Sequence, residues 1–295
     1  MTALDTAPRR RIRGRRLGTP MLARLGAGVS YLVLGSLAVF GLLPVVVMLA
    51  TSLKPSDQIF RIPAELFPSS PTFDHYVNVF TSSDMPRAIG NSVLAAALTA
   101  AITLVVGGTA GYAIARIRFR GTGPVSIALL LGQLLPVTVL LLPLFQIVSS
   151  MDLVDTIPGV VVTHLTIVLP LVTWMATSTV RSVPVELEEA AMIDGCTRLR
   201  AVRSVVLPVA GPGIIALGLF SFLQSWNEFV FASVVSRSTS SRTAPVALTD
   251  FAGQFQVDWG ATMAAATVIS LPITIAFLFV QRYFIQGMSA GAVKG

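Results

Sequence analysis

The fold class this sequence predicts is an all-α polytopic membrane protein with six transmembrane helices. Three observations predict it. Of 295 residues, 54% are hydrophobic and only 12% are charged, about half the charged share of a soluble domain. Mean hydropathy is +0.78. The apolar residues also gather into runs of about 20, the length that crosses a bilayer as a helix. Helices are expected because lipid offers no partner for free backbone groups.

The elements follow in chain order. The chain opens on MTALDTAPRRRIRGRR, and seven arginines precede residue 25. A basic run of this kind fits nuclear targeting, nucleic-acid binding or the head of a signal peptide. The apolar stretch behind it, about 28–52, is long enough to span a bilayer and lacks a small-residue cleavage site. The arginines are therefore expected to hold a tail, 1–27, in the cytoplasm. The next spans are expected at about 88–115, 123–148, 157–179, 210–235 and 261–284. Pro136, Pro143, Pro170 and Pro272 fall inside them and are expected to kink them.

Orientation follows from Lys and Arg. With the N-terminus inside, 16 of the 21 fall on cytoplasmic segments and 5 outside. Both ends are then cytoplasmic, as is the segment between the fourth and fifth spans. The long outer segment, about 53–87, holds Phe60, Phe67, Phe73, Tyr76 and Phe80.

Several chemistries are excluded. One cysteine, Cys196, forbids an internal disulfide. His75 and His164 stand too far apart for metal-ligand spacing. No GxxxxGK loop is present, so no ATP is expected on this chain.

The inner segment breaks the apolar pattern. Glu188 to Gly211 reads EEAAMIDGCTRLRAVRSVVLPVAG. Pro184 suits a first helical turn. Glu186, Glu188 and Glu189 suit the positive end of a helix dipole. Gly195 suits a left-handed cap, and Thr197 can cap a second short helix. Leu199, Val202, Val205 and Val206 recur at helical spacing, opposite Arg198, Arg200 and Arg203. Pro208 is expected to end this helix or kink it into the fifth span. Ala190 and Ala191 would let another surface approach closely, and the flanking carboxylates would orient it. A helix resting on lipid headgroups is the alternative.

The same stretch closely resembles the EAA loop of permease subunits of binding-protein-dependent ABC importers. Glu189, Ala190, Ala191, Gly195, Leu207 and Pro208 supply the whole motif, and Asp194 lies within it. SLKPSDQIF at 52–60, PTFDHYVNVF at 71–80 and SFLQSWNEFVFA at 221–232 also resemble sugar permeases. The tail QRYFIQGMSAGAVKG resembles the maltose-permease second-subunit class.

The resemblance implies a type I importer permease with a cytoplasmic coupling helix in the 181–208 loop, a permease domain over 28–284 and a C-terminal cytoplasmic tail over 285–295. It implies a second permease subunit, two ATPase subunits that carry ATP and Mg, and an extracytoplasmic solute-binding protein. No cofactor is expected on this chain, no catalysis and no nucleic acid. The place is a bacterial plasma membrane and the cargo a sugar or sugar-like solute. In the implied mechanism the coupling helix seats in an ATPase groove. Glu189 pairs with a basic residue there, Ala190 and Ala191 allow close seating, and Gly195 gives the turn.

Polar residues within spans are the candidates for the solute pathway. Gln224, Trp226, Asn227 and Glu228 offer an aromatic face with amide and carboxylate partners, the kinds a sugar needs. Glu228 is the one carboxylate inside an expected span. Packing against the partner subunit, or contact with the binding protein at the outer mouth, are the alternatives. Gln133, His164 and Asn91 are expected to bond between helices. An ion-gradient-driven transporter is the rival function, but it calls for inverted repeats and midplane acids. A membrane enzyme ranks last, for want of a nucleophile–base pair or paired carboxylates.

Overall fold

The structure, a computed structural model, describes residues 20–117, 119–253 and 257–292. Most of the expected basic tail (1–27), Arg118 and Lys294 therefore lie outside the described residues. Among the described residues every regular element is helical. The chain divides into a first unit, 1–47, and a second, 48–295. The described part of the first unit is α1 (Pro20–Ser52) up to Val47, a helix that continues through Pro44.

The second unit runs in order through α2 (Asp74–Thr81), α3 (Met85–Ile102), a π-turn (Thr103–Gly107) and α4 (Gly108–Arg116). Then come α5 (Thr122–Gly132), α6 (Val137–Ser150), α7 (Ile157–Arg181) and α8 (Val185–Ile193). The short α9 (Arg198–Ala201) passes through a second π-turn (Val202–Val206) into α10 (Leu207–Val209). The chain finishes with α11 (Gly211–Trp226), α12 (Val230–Val235), α13 (Ala244–Leu248) and α14 (Trp259–Ala292).

Among the described residues four helical segments are long and apolar enough to cross a membrane: Ala27–Ser52, Met85–Arg116, Ile157–Arg181 and Trp259–Leu278. Two bent pairs raise the number to six if each is one span. The third expected span is such a pair, α5 and α6, bent by 103°. It was expected as a single kinked run. Pro136 has no N–H to donate and pushes Leu135 out of the helical region. Gln133, at the end of α5, turns its amide to the carbonyl of Ile167 on α7 at 3.0 Å. Pro143, Pro170 and Pro272 lie within continuous helices, so only Pro136 interrupts one.

The fifth expected span, about 210–235, also differs. Its entry bends by 80° between Val209 and Gly211, two residues beyond Pro208. Its far part is interrupted between Trp226 and Val230. Beyond the expected end of the sixth span at 284, α14 continues to Ala292.

Three apolar clusters hold the second unit. Val79, Met85, Ala88, Ala244, Ala247, Ala264 and Ala265 join α2, α3, α13 and α14. Ala95, Val148, Val160, Val161, Ala232, Val235 and Val246 join α3, α6, α7, α12 and α13. Val168, Val172, Ala176 and Leu217 join α7 to α11. Alanine and valine dominate, and the alanines allow the close packing by which helices associate in lipid. Gly111 on α4 is one of the close approaches: a Cβ there would stand 2.7 Å from Cβ of Ala176 and 2.9 Å from the Thr177 nitrogen. This contact sets the end of α4 directly against the end of α7, from which α8 departs.

At the opposite end the chain closes on itself. Asp155 accepts hydrogen bonds from the backbone nitrogens of Arg237 and Ser238, both at 2.8 Å, and from the Ser241 hydroxyl. The bonds from Ser238, then Ser241, hold its carboxyl far below the usual carboxylate range. Asn91 donates to the carbonyls of Ser240 and Arg242, and Ser92 accepts from the Ala244 nitrogen. The 53–87 segment is a folded loop on the bundle. His75 meets the Lys54 carbonyl at 2.9 Å and lies on Gly260. Phe60, Phe67, Phe73 and Phe80 remain exposed.

Candidate functional site

The loop between α7 and α11 forms as its turn residues dictate. Pro184, with φ −56° and ψ 131°, precedes the first turn of α8. At the other end Gly195 takes φ +90°, which an L side chain rarely adopts. Its nitrogen donates to the Met192 carbonyl at 3.1 Å, and the Cys196 nitrogen donates to the Ala191 carbonyl at 3.0 Å. Those two bonds are the Schellman pattern that satisfies the last carbonyls of a helix. Thr197 then caps α9 by accepting from the Arg200 nitrogen at 3.4 Å.

The three glutamates of α8 divide. Glu186 and Glu189 are exposed, whereas Glu188 is 2% exposed. Tyr112 donates its hydroxyl to one Glu188 oxygen. Nε of Arg116 donates to the other at 3.1 Å. The same guanidinium donates through Nη2 to the Val183 carbonyl at 2.6 Å. Desolvating a carboxylate is costly unless it is paired and hydrogen-bonded, and this one is both. Reading Glu188 as a flanking, outward carboxylate is therefore corrected. The signal for it was the Tyr112–Arg116 pair, four residues apart at the end of an otherwise apolar helix.

The outer face of the loop carries most of the residues named for ATPase contact. Glu189, Ala190, Asp194 and Gly195 are exposed, and Ala191 is half-buried. Beside them Ile193 is 86% exposed and Leu199 62%. Leu199 was expected on the same helical side as Val206. The π-turn between them inserts an extra residue per turn, which shifts the register; Val206 stays buried while Leu199 turns outward. Leu207 and Pro208 are exposed where α10 approaches the 80° bend.

The pathway candidates separate just as sharply. Glu228 sits in the interruption after α11. One of its oxygens accepts from the Phe231 nitrogen at 2.8 Å and the other from the Ala232 nitrogen at 3.0 Å, which caps α12. Nε2 of fully buried His164 lies 3.1 Å from that second oxygen, at ion-pair distance but off the line of a hydrogen bond. The other ring nitrogen of His164 meets the Ser225 hydroxyl at 2.6 Å, and Ser225 donates to Thr99 at 3.4 Å. Trp226 is 1% exposed and stacks on Phe222 with centroids 5.8 Å apart. Gln224 and Asn227 are exposed, and Asn227 bonds to the Leu223 carbonyl. The structure thus brings Glu228 to His164, a pairing the sequence left unread, and directs only the two amides outward. Gln133 and His164 bond between helices, as expected, whereas Asn91 bonds to the loop carbonyls of Ser240 and Arg242.

Residues 104–290 match the family described as binding-protein-dependent transport system inner membrane component. The chain is 34% identical over 252 residues to the diacetylchitobiose uptake system permease protein DasC of Streptomyces coelicolor, covering 85% of this chain and 91% of that protein. It is 36% identical over 258 residues to the trehalose transport system permease protein SugB of Mycobacterium tuberculosis, covering 87% and 93%. It is 32% identical over 270 residues to the sulfoquinovosyl glycerol transport system permease protein SmoH of Agrobacterium fabrum, covering 92% and 95%. In fold it is similar to a chain of a bacterial ABC transporter that imports alginate, with TM-score 0.76 and 19% identity, over 88% of this chain and 97% of that one.

Proposed function

The chain belongs to the family of binding-protein-dependent transport system inner membrane components, and from that premise we propose that it carries a sugar or sugar-like solute. Membership makes it a multi-pass permease subunit of an ABC importer and removes the ion-gradient-driven alternative. The sugar reading is supported by the names of its relatives, whose solutes are diacetylchitobiose, trehalose and sulfoquinovosyl glycerol.

In this reading residues 28–284 are the permease domain, flanked by cytoplasmic tails over 1–27 and 285–295. The chain pairs with a second permease subunit. An extracytoplasmic binding protein delivers the solute, and two ATPase subunits carry ATP and Mg and do the hydrolysis.

The observation that carries this assignment is the α8–α9 loop. A water-facing turn that exposes Ile193 and Leu199 beside small Ala190 is an interaction surface. Glu189 and Asp194 give it a charge pattern that a basic groove can register. The α8–α9 loop seats in the ATPase, and closure of the ATPase pair on ATP drives a rigid-body change of the spans. Gln224 and Asn227 offer amide groups to a passing sugar. Glu228 and Trp226, already engaged inside the chain, support the wall behind them.

Replacing Gly195 by Phe tests the assignment. A side chain there must hold φ +90°, which strains the turn. The Gly195→Phe chain is expected in the membrane at the normal level, without ATPase association and without transport. Normal transport by that variant would contradict the docking role.

A further inference from the structure

Glu188 and Glu189 are neighbours on α8, yet one faces the bundle and the other faces away. The buried one reaches a span that does not adjoin the loop in sequence. We propose that the Tyr112–Glu188–Arg116 clamp transmits movement of the α8–α9 loop to the Met85–Arg116 span, with Glu188 as the positioning residue. The inference rests on the reading that this loop docks an ATPase.

The geometry makes the clamp a lever. Arg116 holds α8 at two places, the Val183 carbonyl just before the helix and the Glu188 carboxylate within it. One contact would let α8 pivot; two fix its direction. A planar guanidinium holds its donors on separate nitrogens in a rigid fork, whereas lysine's donors share one nitrogen on a flexible stem. Tyr112 adds a third attachment on the same face of α4, one turn from Arg116. Above the clamp Gly111 leaves no gap between α4 and α7. A push on α8 therefore has no soft place in which to dissipate before it reaches α4. Beyond α4 the π-turn joins α3, where the Thr103 hydroxyl bonds to Ser221 of α11 at 2.9 Å. The movement can thus continue to the helix that ends at Gln224 and Asn227. A clamp needed only for stability would be served as well by apolar packing, because buried ion pairs are weak stabilisers compared with a hydrophobic replacement.

The test uses the full transporter with its ATPase, compared without nucleotide and with Mg·ATP trapped by vanadate. Amide hydrogen exchange is read at two places, the α8–α9 loop and residues 108–116. In the wild-type chain, trapping is expected to shift exchange at both. In Glu188→Gln the loop response stays, and the response at 108–116 falls about tenfold, the scale of one lost charge-assisted hydrogen bond. In Tyr112→Phe, which removes a single hydroxyl, it falls about threefold. Arg116→Lys behaves like Glu188→Gln. A wild-type response at 108–116 in any recovered variant overturns the proposal. So does the absence of a shift at 108–116 in the wild type, or failure of all three variants to reach the membrane, which would make the clamp a folding requirement. If the wild-type loop gains no protection from the ATPase, the docking reading itself has failed, and the inference goes with it.

Discussion

Glu188 and Glu228 are both carboxylates withdrawn from water inside an oily chain, and the segments they anchor are opposites. Glu188 fastens one face of α8 to Tyr112 and Arg116 and leaves the other face open, with Ile193 at its tip. Glu228 spends both oxygens on the start of α12 and on His164, and the neighbouring Trp226 is sealed. In the proposed reading the first region is finished by a partner. The second is finished by the chain itself. Polarity in a membrane protein therefore does not by itself mark a ligand contact. What matters is whether the polar group has capacity left after its neighbours are served.

That contrast can be broken by mutation, and the largest effect belongs to the closed region. Glu228→Ala would leave two backbone N–H groups without their acceptor, and His164 without the carboxylate beside it, in a buried break. A loss of about 3–5 kcal/mol of stability is expected, the cost of breaking a buried pair. Thermal unfolding of the purified complex should show it, together with reduced recovery from membranes. A Glu228→Ala chain as stable as wild type would mean that the break is held by packing alone.

In the open region the expected effect moves from stability to association. Ile193→Ser removes an exposed side chain, so stability should change by less than about 0.5 kcal/mol. ATPase binding should weaken by about tenfold or more, since burying an isoleucine against a partner is worth about 1.5–3 kcal/mol. Titration of the ATPase onto the purified permease would measure it. A fall in stability with unchanged binding would reverse the two regions.

The smallest effect lies at the closed far end. Asp155 is held below the usual carboxylate range by the Ser238 and Ser241 bonds. A depressed folded pKa adds stability that is present above the unfolded value and lost as pH falls toward the folded one. Asp155→Asn should lower the unfolding temperature by a constant amount from pH 8 down to about pH 4, the ordinary aspartate range. Below that the gap between variant and wild type should close. A gap that widens on acidification would refute this role.

The sequence made the loop more legible than the pathway, for a physical reason. Pro184, Gly195 and Thr197 act through bonds to residues at most five positions away, so their pattern alone dictates helix, turn and helix. The inward turn of Glu188 depends on Tyr112 and Arg116, 76 and 72 residues upstream, and nothing local distinguishes it from Glu186 or Glu189. Pro136 marked the break between α5 and α6, but a proline does not encode the size of the bend, which is 103°. The interruption at Glu228 carries no proline or glycine; its stabilising capping bonds appear only once the chain has folded. Leu199 was misplaced because a π-turn changes the helical period without a residue type that announces it.

The central claim is that the exposed tip of the α8–α9 loop meets an ATPase rather than lipid headgroups. It is tested most directly by a photoreactive diazirine side chain in place of Ile193, irradiated in the assembled transporter within native membranes. The account predicts a covalent adduct to the ATPase subunit, lost when that subunit is stripped away. Adducts to lipid alone, unchanged by the presence of the ATPase, would contradict it.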